Sequence, residues 1–296
     1  MQADIQGPNI RFGDMPDNTV FLKAGEEYVF ATTAGEINFD PSAPYPTDIP
    51  INDDTIQNFA KAGQPIAFMS GFLEGEIMKV EGNRITVKMI NSGKLARHKT
   101  INFPETELGS ALTQKDWNDI DFLLNEGVDW FALSFVTHRT EIDYVREKIQ
   151  ATAEKRGNYP IYIMSKIERP GALDNLDEIV KASDSIMVAR GDLAVEIPFE
   201  DVPVIQKEII DYCHHEKKPV VVATQMLYSM TQSLRPTRAE VSDVANAVFE
   251  RADAVMLSEE SAQGVDPVNA VTTMATIIRR AEDHLYKEPN YFGPYL

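Results

Sequence analysis

Residues 161–193 read IYIMSKIERPGALDNLDEIVKASDSIMVARGDL. Two apolar runs in this stretch stop abruptly at charged residues. Ile161–Met164 runs into Ser165, Lys166, Ile167 and Glu168, and Ile186–Ala189 runs into Arg190, Gly191 and Asp192. Apolar runs of that length bounded by turn residues fit buried parallel strands. Side chains alternate along a strand, so Lys166 and Glu168 leave the same face. A cation and a carboxylate side by side at the C-terminal end of a strand are poor core material. Asp192, ending the next strand, offers a second carboxylate. The stretch therefore predicts a place where a metal ion, an anion and a lysine meet.

The alternation of strand and helix extends to both sides of this stretch. Thr113-x-x-Asp116 has the form of a capping box and starts a helix carrying Trp117, Ile120 and Leu124. A strand follows over Trp130–Phe135, then a helix capped by Thr140-x-x-Asp143. After the strand over Ile161–Ile167 comes a helix through Leu173, Leu176 and Ile179. The strand over Ser185–Ala189 precedes a helix through Val202, Ile205, Ile209 and Tyr212. Pro219–Ala223 is a strand before a helix capped by Thr237-x-x-Glu240, and Ala254–Leu257 is a strand before a helix opened by Asp266-Pro267. Five strands, each followed by a helix, imply parallel order with right-handed crossovers. Their starts recur roughly every 25–35 residues, as a (β/α) barrel or a doubly wound sheet requires. Thr224-Gln225 and Ser258-Glu259-Glu260 also follow strand C-termini. A barrel gathers such consecutive ends around one mouth, and no Gly-x-Gly-x-x-Gly or Walker loop favours an open nucleotide-binding sheet. A barrel is predicted.

The texture differs upstream. Gln2–Ile5 fits a short strand broken by Gly7-Pro8, and from Phe12 to Pro104 short strands and turns dominate. Ile77–Val80 and Arg84–Ile90 form a hairpin around Gly82-Asn83. Gln57, Phe59 and Ala60 suit one short helix, and Pro41, Pro44, Pro46 and Pro50 mark an irregular connection. The expected organisation is a barrel start at 1–11, an inserted β-rich lid at 12–104, the rest of the barrel at 105–285, and a tail at 286–296.

Composition sets bounds on function. With 296 residues, 43% apolar and 25% charged, the chain suits a globular protein with ample core. A net charge of −18 argues against nucleic acid or an acidic membrane as partner, though a bound cation can reverse the field locally for small anionic substrates. The single cysteine, Cys213, cannot form an internal disulfide and reads as a core residue rather than a reactive thiol. No run reaches membrane-spanning length and no basic-then-apolar leader follows Met1, so a cytoplasmic protein is expected.

Each group at the predicted mouth has two readings. Glu168 and Asp192 are hard oxygen donors suited to Mg²⁺ or Mn²⁺, or else salt-bridge partners of Lys166 and Arg190. The Lys166 ammonium can stabilise a moving phosphoryl group or an enolate oxygen, or simply neutralise Glu168. Gly191 allows close approach of its N–H to an oxyanion, or a tight turn with positive φ. Thr224 and Ser258 can relay protons or bind a carboxylate, or cap helices. Taken together, the set suits chemistry on a small anionic oxyacid.

These same residues carry a family resemblance. IYIMSKIERPGAL resembles the active-site signature of pyruvate kinases, and the likeness continues through MVARGDLAVEIP, KKPVVVATQML, RPTRAEVSDVANAV and ADAVMLSEESAQG. It also reaches back to ADIQGPNIR and the Asn102-x-Pro104 that closes the family's inserted domain. The resemblance implies a partial TIM (β/α)8 barrel, strands three to eight, with an inserted small β-barrel-like domain. It implies phosphoryl transfer from phosphoenolpyruvate to ADP, giving pyruvate and ATP. Glu168 and Asp192 would bind the divalent metal, and Lys166 would stabilise phosphoryl transfer and the enolate. Ala189, Arg190 and Gly191 would line the carboxylate and phosphate pocket, and Thr224 would hold the substrate carboxylate. Thr224 and Ser258 would belong to the proton path, and Arg11 and Lys99 would meet the nucleotide phosphates beneath a closing lid. A homo-oligomer is implied as well.

The departures are specific. The family's first two barrel strands, which carry an arginine, an asparagine and a serine, have no counterpart in this sequence, and neither does its C-terminal domain. At the monovalent-cation loop Asp4 matches. Ile5 stands where potassium-dependent members have threonine, and Asn9 replaces both their glutamate and the lysine of potassium-independent members, so dependence on K⁺ does not follow. Glu259 and Ser261 replace the glycine and threonine of the Ser-Gly-Glu-Thr motif. Beside the kinase reading stand an inactive remnant that only binds or associates, with open edges at strands three and eight, and an Mg²⁺-dependent lyase acting on a pyruvate enolate. Arg97 and Lys99 in the inserted domain favour the nucleotide.

Overall fold

The computed structural model describes residues 1–15, 19–38, 48–69, 71–104, 106, 112–155 and 160–287. Along the chain β1 (Gln2–Ile5) is followed by eight short strands: β2 (Thr19–Leu22), β3 (Glu27–Thr32), β4 (Ile49–Ile51), β5 (Pro65–Phe68), β6 (Leu73–Glu81), β7 (Arg84–Met89), β8 (Gly93–Ala96) and β9 (Ile101–Asn102). Helix α1 (Gln114–Asn125) opens a regular alternation: β10 (Trp130–Leu133), α2 (Arg139–Lys155), β11 (Tyr162–Ile167), α3 (Pro170–Asp174), α4 (Leu176–Ala182), β12 (Ser185–Ala189), α5 (Arg190–Glu196), α6 (Val202–His215), β13 (Val220–Ala223), α7 (Arg238–Phe249), β14 (Ala254–Met256), α8 (Glu259–Ala262) and α9 (Pro267–Lys287). Packing divides the chain into two compact units. One comprises Met1–Ile5, Ile120–Leu193 and Glu200–Leu296, and the other Gln6–Asp119 and Ala194–Phe199.

The first unit is built on a six-stranded, all-parallel sheet in the order β1-β10-β11-β12-β13-β14. Register fixes which side chains share a face. Asp4 lies opposite Ala132, Ala132 opposite Met164, Lys166 opposite Met187, Ala189 opposite Ala223, and Ala223 opposite Met256. That face carries a core of Ala132, Met164, Met187, Ala189 and Ala223, with Trp130, Val221 and Met256 packed against it. Small and flexible side chains there let six strands approach closely. Every residue of β12 is buried, whereas β1 and β14, the outer strands, are partly exposed. This is the (β/α) barrel architecture expected from the sequence, as six consecutive strands.

Five hydrogen bonds tie neighbouring strand–helix modules at their ends. The N–H of Phe135 donates to Glu168 at 2.7 Å, that of Gly191 to the Thr224 hydroxyl at 2.7 Å, and that of Leu227 to Glu260 at 2.9 Å. At the opposite ends Ile163 donates to Asp184 at 2.7 Å and Val220 to Asp253 at 2.9 Å. Glu260 is fully buried and accepts a second N–H, from Ser258 at 2.9 Å, so its carboxylate is satisfied without a cation.

The second unit holds a six-stranded sheet, β4-β3-β7-β6-β5-β9, and the antiparallel pair β2-β8. Its core centres on Phe12, Phe30 and Phe68, whose ring centroids lie 5.3–5.8 Å apart. The β6–β7 hairpin turns at Gly82-Asn83 as the sequence indicates, with Glu81 opposite Arg84. Packing gives this unit wider bounds than the 12–104 suggested by texture. Pro41, Pro44 and Pro46, and most of the tail at 286–296, lie outside the described residues.

Local expectations meet several corrections. Two capping boxes form: Thr113 with Asp116, and Thr237 with Glu240. The box expected from Thr140 and Asp143 does not. Helix α2 starts at Arg139, and Glu141 reaches back to the N–H groups of Thr137 and His138 at 2.8 and 3.1 Å. Asp143 pairs with Arg139 instead. The helix through Leu173 and Ile179 is two helices, parted at Asn175, whose amide donates to Gly171 O and Thr137 O. Gln57 sits in a single 3₁₀ turn, Ile56–Asn58, organised by the Asp53 carboxylate. Arg190-Gly191-Asp192 is the first turn of α5 rather than an open loop.

Cys213 is fully buried on α6, and burial, with Asp253 adding to it, pushes its thiol up to about 12. An aromatic disulfide reagent is therefore expected to leave the native protein unlabelled and to react only as it unfolds. Labelling at native-state rates comparable to a free thiol would contradict the core assignment.

Candidate active site

The C-terminal end of β11 delivers Lys166 and Glu168 to one side, as the alternation predicts. Their charged atoms meet at 3.2 Å. Lys166 also spans both carboxylate oxygens of Asp4, each at 3.2 Å, and donates to the Ser134 hydroxyl at 2.8 Å. Ser134 donates to Asp4 at 3.1 Å. The ammonium is thus enclosed by two carboxylates and a hydroxyl from three adjacent strands. Burial alone would lower the Lys166 pKa, but Glu168 and Asp4 outweigh it and hold the value above the ordinary lysine range. The lysine is a fixed positive charge at neutral pH.

Glu168 is 1% exposed. Burial pushes its carboxyl up to about 7, and the nearby Asp192 charge adds to the effect, while Lys166 and the Phe135 N–H pull it back. The Asp192 charge acts on Glu168, so two carboxylates lie near one another at this strand end. Among the described residues no group of three His, Cys, Asp or Glu side chains forms a ready-made metal cage. A two-carboxylate oxygen set fits a hard divalent ion that completes its shell with water and substrate oxygens. The residues present therefore fit Mg²⁺ or Mn²⁺.

The monovalent cation fits less well. Both oxygens of Asp4 are turned on Lys166, the Ile5 side chain is buried hydrocarbon, and the Ile5 carbonyl accepts from Ser134 N–H.

At the neighbouring strand ends the backbone is strained in a purposeful way. Thr224 and Gln225, directly after β13, have φ of 70° and 55°, a left-handed conformation that costs non-glycine residues about 1–2 kcal/mol each. The strain turns the Thr224 hydroxyl to accept from Gly191 N–H at 2.7 Å and donate to Ala223 O at 2.6 Å. Gly191 itself has no positive φ among the described residues. Space explains the glycine, because a Cβ there would lie 3.3 Å from the Thr224 hydroxyl oxygen. Close approach is the better of its two readings.

Ala189 is buried at the end of β12 and floors this corner. The Arg190 guanidinium points to the end of β13, reaching Asp243 at 2.7 Å and Thr224 O at 2.8 Å. Ser258 follows β14 and makes no side-chain cap to α8, so the capping alternative does not describe it. In the second unit Arg11 and Lys99 lie on adjacent stretches outside the named strands. Arg11 bridges Thr100, and Phe12 N–H donates to Lys99 O at 3.0 Å. Both side chains are exposed, with Arg11 also donating to His98 O at 3.1 Å.

Fold and site together define an α/β-barrel domain with a lysine–carboxylate centre at its strand C-termini and a β domain inserted after its first strand. The description "Pyruvate kinase, barrel domain" matches residues 1–271, and the chain belongs to that family. A pyruvate kinase of Agrobacterium vitis is 43% identical over 287 residues, covering 97% of this chain and 57% of the relative. One of Bacillus licheniformis is 40% identical, covering 95% and 47% respectively. The crystal structure of a pyruvate kinase from Cryptosporidium parvum aligns with all of this chain and 60% of its own, at TM-score 0.82 and 34% identity. The chain spans about half the length of the curated relatives it matches.

Sequence reading missed Ser134 and Phe135. Ser134 looks like an ordinary strand-end hydroxyl, and Phe135 like a core residue. The signal that could have found them is the position of Ser134 two residues after Ala132, on the face that also carries Lys166.

Proposed function

We propose that this chain carries the phosphoryl-transfer centre of a pyruvate kinase, acting on phosphoenolpyruvate and ADP with a divalent metal, Mg²⁺ or Mn²⁺. The observation that carries the reading is the Lys166 ammonium fixed at 3.2 Å from a buried Glu168 at a barrel strand end.

In the reaction the bond from the enol oxygen to phosphorus breaks as an ADP phosphate oxygen bonds to that phosphorus, and the enolate then takes a proton at carbon to become pyruvate. Such loose phosphoryl transfer asks for positioning and charge rather than covalent help. Lys166 supplies a preorganised positive charge for the oxygens on which negative charge builds. Glu168 and Asp192 would hold the divalent ion, which when bound supplies further neutralisation of phosphate charge. Thr224, its hydroxyl oxygen held by the Gly191 N–H, would turn its proton from Ala223 O to the substrate carboxylate, and Ser258 would extend the hydroxyl path for the proton. Arg11 and Lys99 are the proposed nucleotide-phosphate ligands. A homo-oligomeric state accompanies this reading.

The test is a lactate-dehydrogenase-coupled assay with phosphoenolpyruvate, ADP and Mg²⁺, with ATP measured in parallel. Equal yields of pyruvate and ATP are expected. Pyruvate formed at the same rate without ADP would favour a lyase or phosphatase. No product together with no Mn²⁺ binding would remove the enzyme reading of this polypeptide.

A further inference from the structure

The end of β10 does two different jobs within two residues. Ser134 N–H makes the last ladder bond to β1, donating to Ile5 O at 3.3 Å. One residue later the chain leaves the sheet through Phe135, whose φ is 58°. The Phe135 N–H itself, which alternation along the strand turns away from β1, donates to Glu168 at 2.7 Å. A bulky aromatic in this conformation is disfavoured by about 1–2 kcal/mol. Here burial of the ring and the Arg169 guanidinium stacked 4.9 Å from its centroid offset the cost. The Ser134 side chain, buried on the opposite side of the strand, takes the shortest of the Lys166 contacts at 2.8 Å.

Lysine presents a point charge on a flexible stem, and its three donors have no fixed fork. With Glu168 and Asp4 as sole partners the ammonium would slide along the line between two carboxylates. Ser134 is the only neutral group among its described partners. It accepts an N–H of Lys166 and donates its own O–H to Asp4, so the directions of all five contacts are consistent.

We propose that the Ser134–Phe135 corner is the positioning device of the site, in which the Ser134 hydroxyl sets the place of the Lys166 ammonium while the Phe135 N–H separately holds Glu168. The proposal rests on the phosphoryl-transfer reading for its kinetic consequence but not for its structural one. Because Lys166 acts on charge that develops in the transition state, its misplacement lowers turnover more than substrate binding.

The test compares wild type with Ser134→Ala and Ser134→Thr in three measurements. Steady-state kinetics are expected to show kcat reduced about 100-fold in Ser134→Ala, the cost of a displacement near 1 Å, with KM for phosphoenolpyruvate nearly unchanged. The threonine variant recovers most of the loss. In ¹⁵N-lysine-labelled protein the enclosed Lys166 ammonium gives a slowly exchanging resonance, assigned by its absence in Lys166→Arg. That resonance is shifted or lost in Ser134→Ala and restored in Ser134→Thr. Mn²⁺ affinity, followed by electron paramagnetic resonance, stays unchanged, because Glu168 is held by Phe135.

An unmoved resonance in Ser134→Ala overturns the proposal whatever the kinetics. So does a loss of Mn²⁺ affinity parallel to the loss of turnover. If wild type itself is inert the phosphoryl-transfer reading fails, and the resonance alone decides the positioning role. Should Ser134→Ala not fold, Ser134→Cys replaces it, since a thiol keeps the shape and is a poor hydrogen-bond partner.

Discussion

Lys166→Met is expected to lower kcat by about 10³-fold or more, at the upper end of what removing one preorganised charge donor costs. The effect is this large because the ammonium is enclosed: Glu168, Asp4 and Ser134 hold it without solvent reorganisation. Methionine fills nearly the same volume, so lost packing does not confuse the result. Binding of phosphoenolpyruvate is expected to weaken far less than turnover. Lys166→Arg is a useful companion, because the wider planar guanidinium cannot occupy a point-charge position and should also fail. The coupled assay, with thermal melting to confirm folding, checks both variants. Retention of more than a tenth of wild-type kcat by the methionine variant would dismiss Lys166 as the central charge.

Glu168→Gln should separate function from stability. Replacing a proposed metal ligand with an amide is expected to weaken Mn²⁺ binding by more than about 100-fold, the upper end of what losing an outer-shell partner costs. Turnover should be lost with it. Stability should move the other way. A carboxyl whose pKa in the folded protein is raised carries no penalty while neutral, below its ordinary range, and carries the full penalty once ionised above about 7. In metal-free protein the variant should therefore melt close to wild type at low pH and become progressively more stable than wild type as pH rises from the ordinary carboxylate value of 4.5 to about 7, above which the gap levels off. Added Mg²⁺ should close that gap by stabilising wild type alone. A gap independent of pH would mean that Glu168 pays no burial penalty. Active sites that trade stability for chemistry behave in this way.

Much of this could be read before any coordinates. β12 was legible residue for residue, because a run of five buried residues between polar stops admits one interpretation. The shared face of Lys166 and Glu168 followed from the period of two. What stayed hidden depends on contacts between residues far apart in sequence or on backbone angles without a sequence signature. Arg190 turns to Asp243, 53 residues on, and no local pattern announces that choice. Nothing about Phe135 or Thr224 reveals a positive φ, since both are residue types that avoid it. The Thr140 box failed because the helix already starts at Arg139, where Glu141 takes the N–H groups of Thr137 and His138 and Asp143 pairs with Arg139. The inactive-remnant reading and the kinase reading share all of this structure and part only at the bench.

The five main-chain to side-chain bonds between modules described above share a direction. In each of the five the backbone donor belongs to the earlier module and the accepting side chain to the later one. A main-chain N–H of each earlier module therefore depends on a side chain of the next, and without that neighbour it would be left to water.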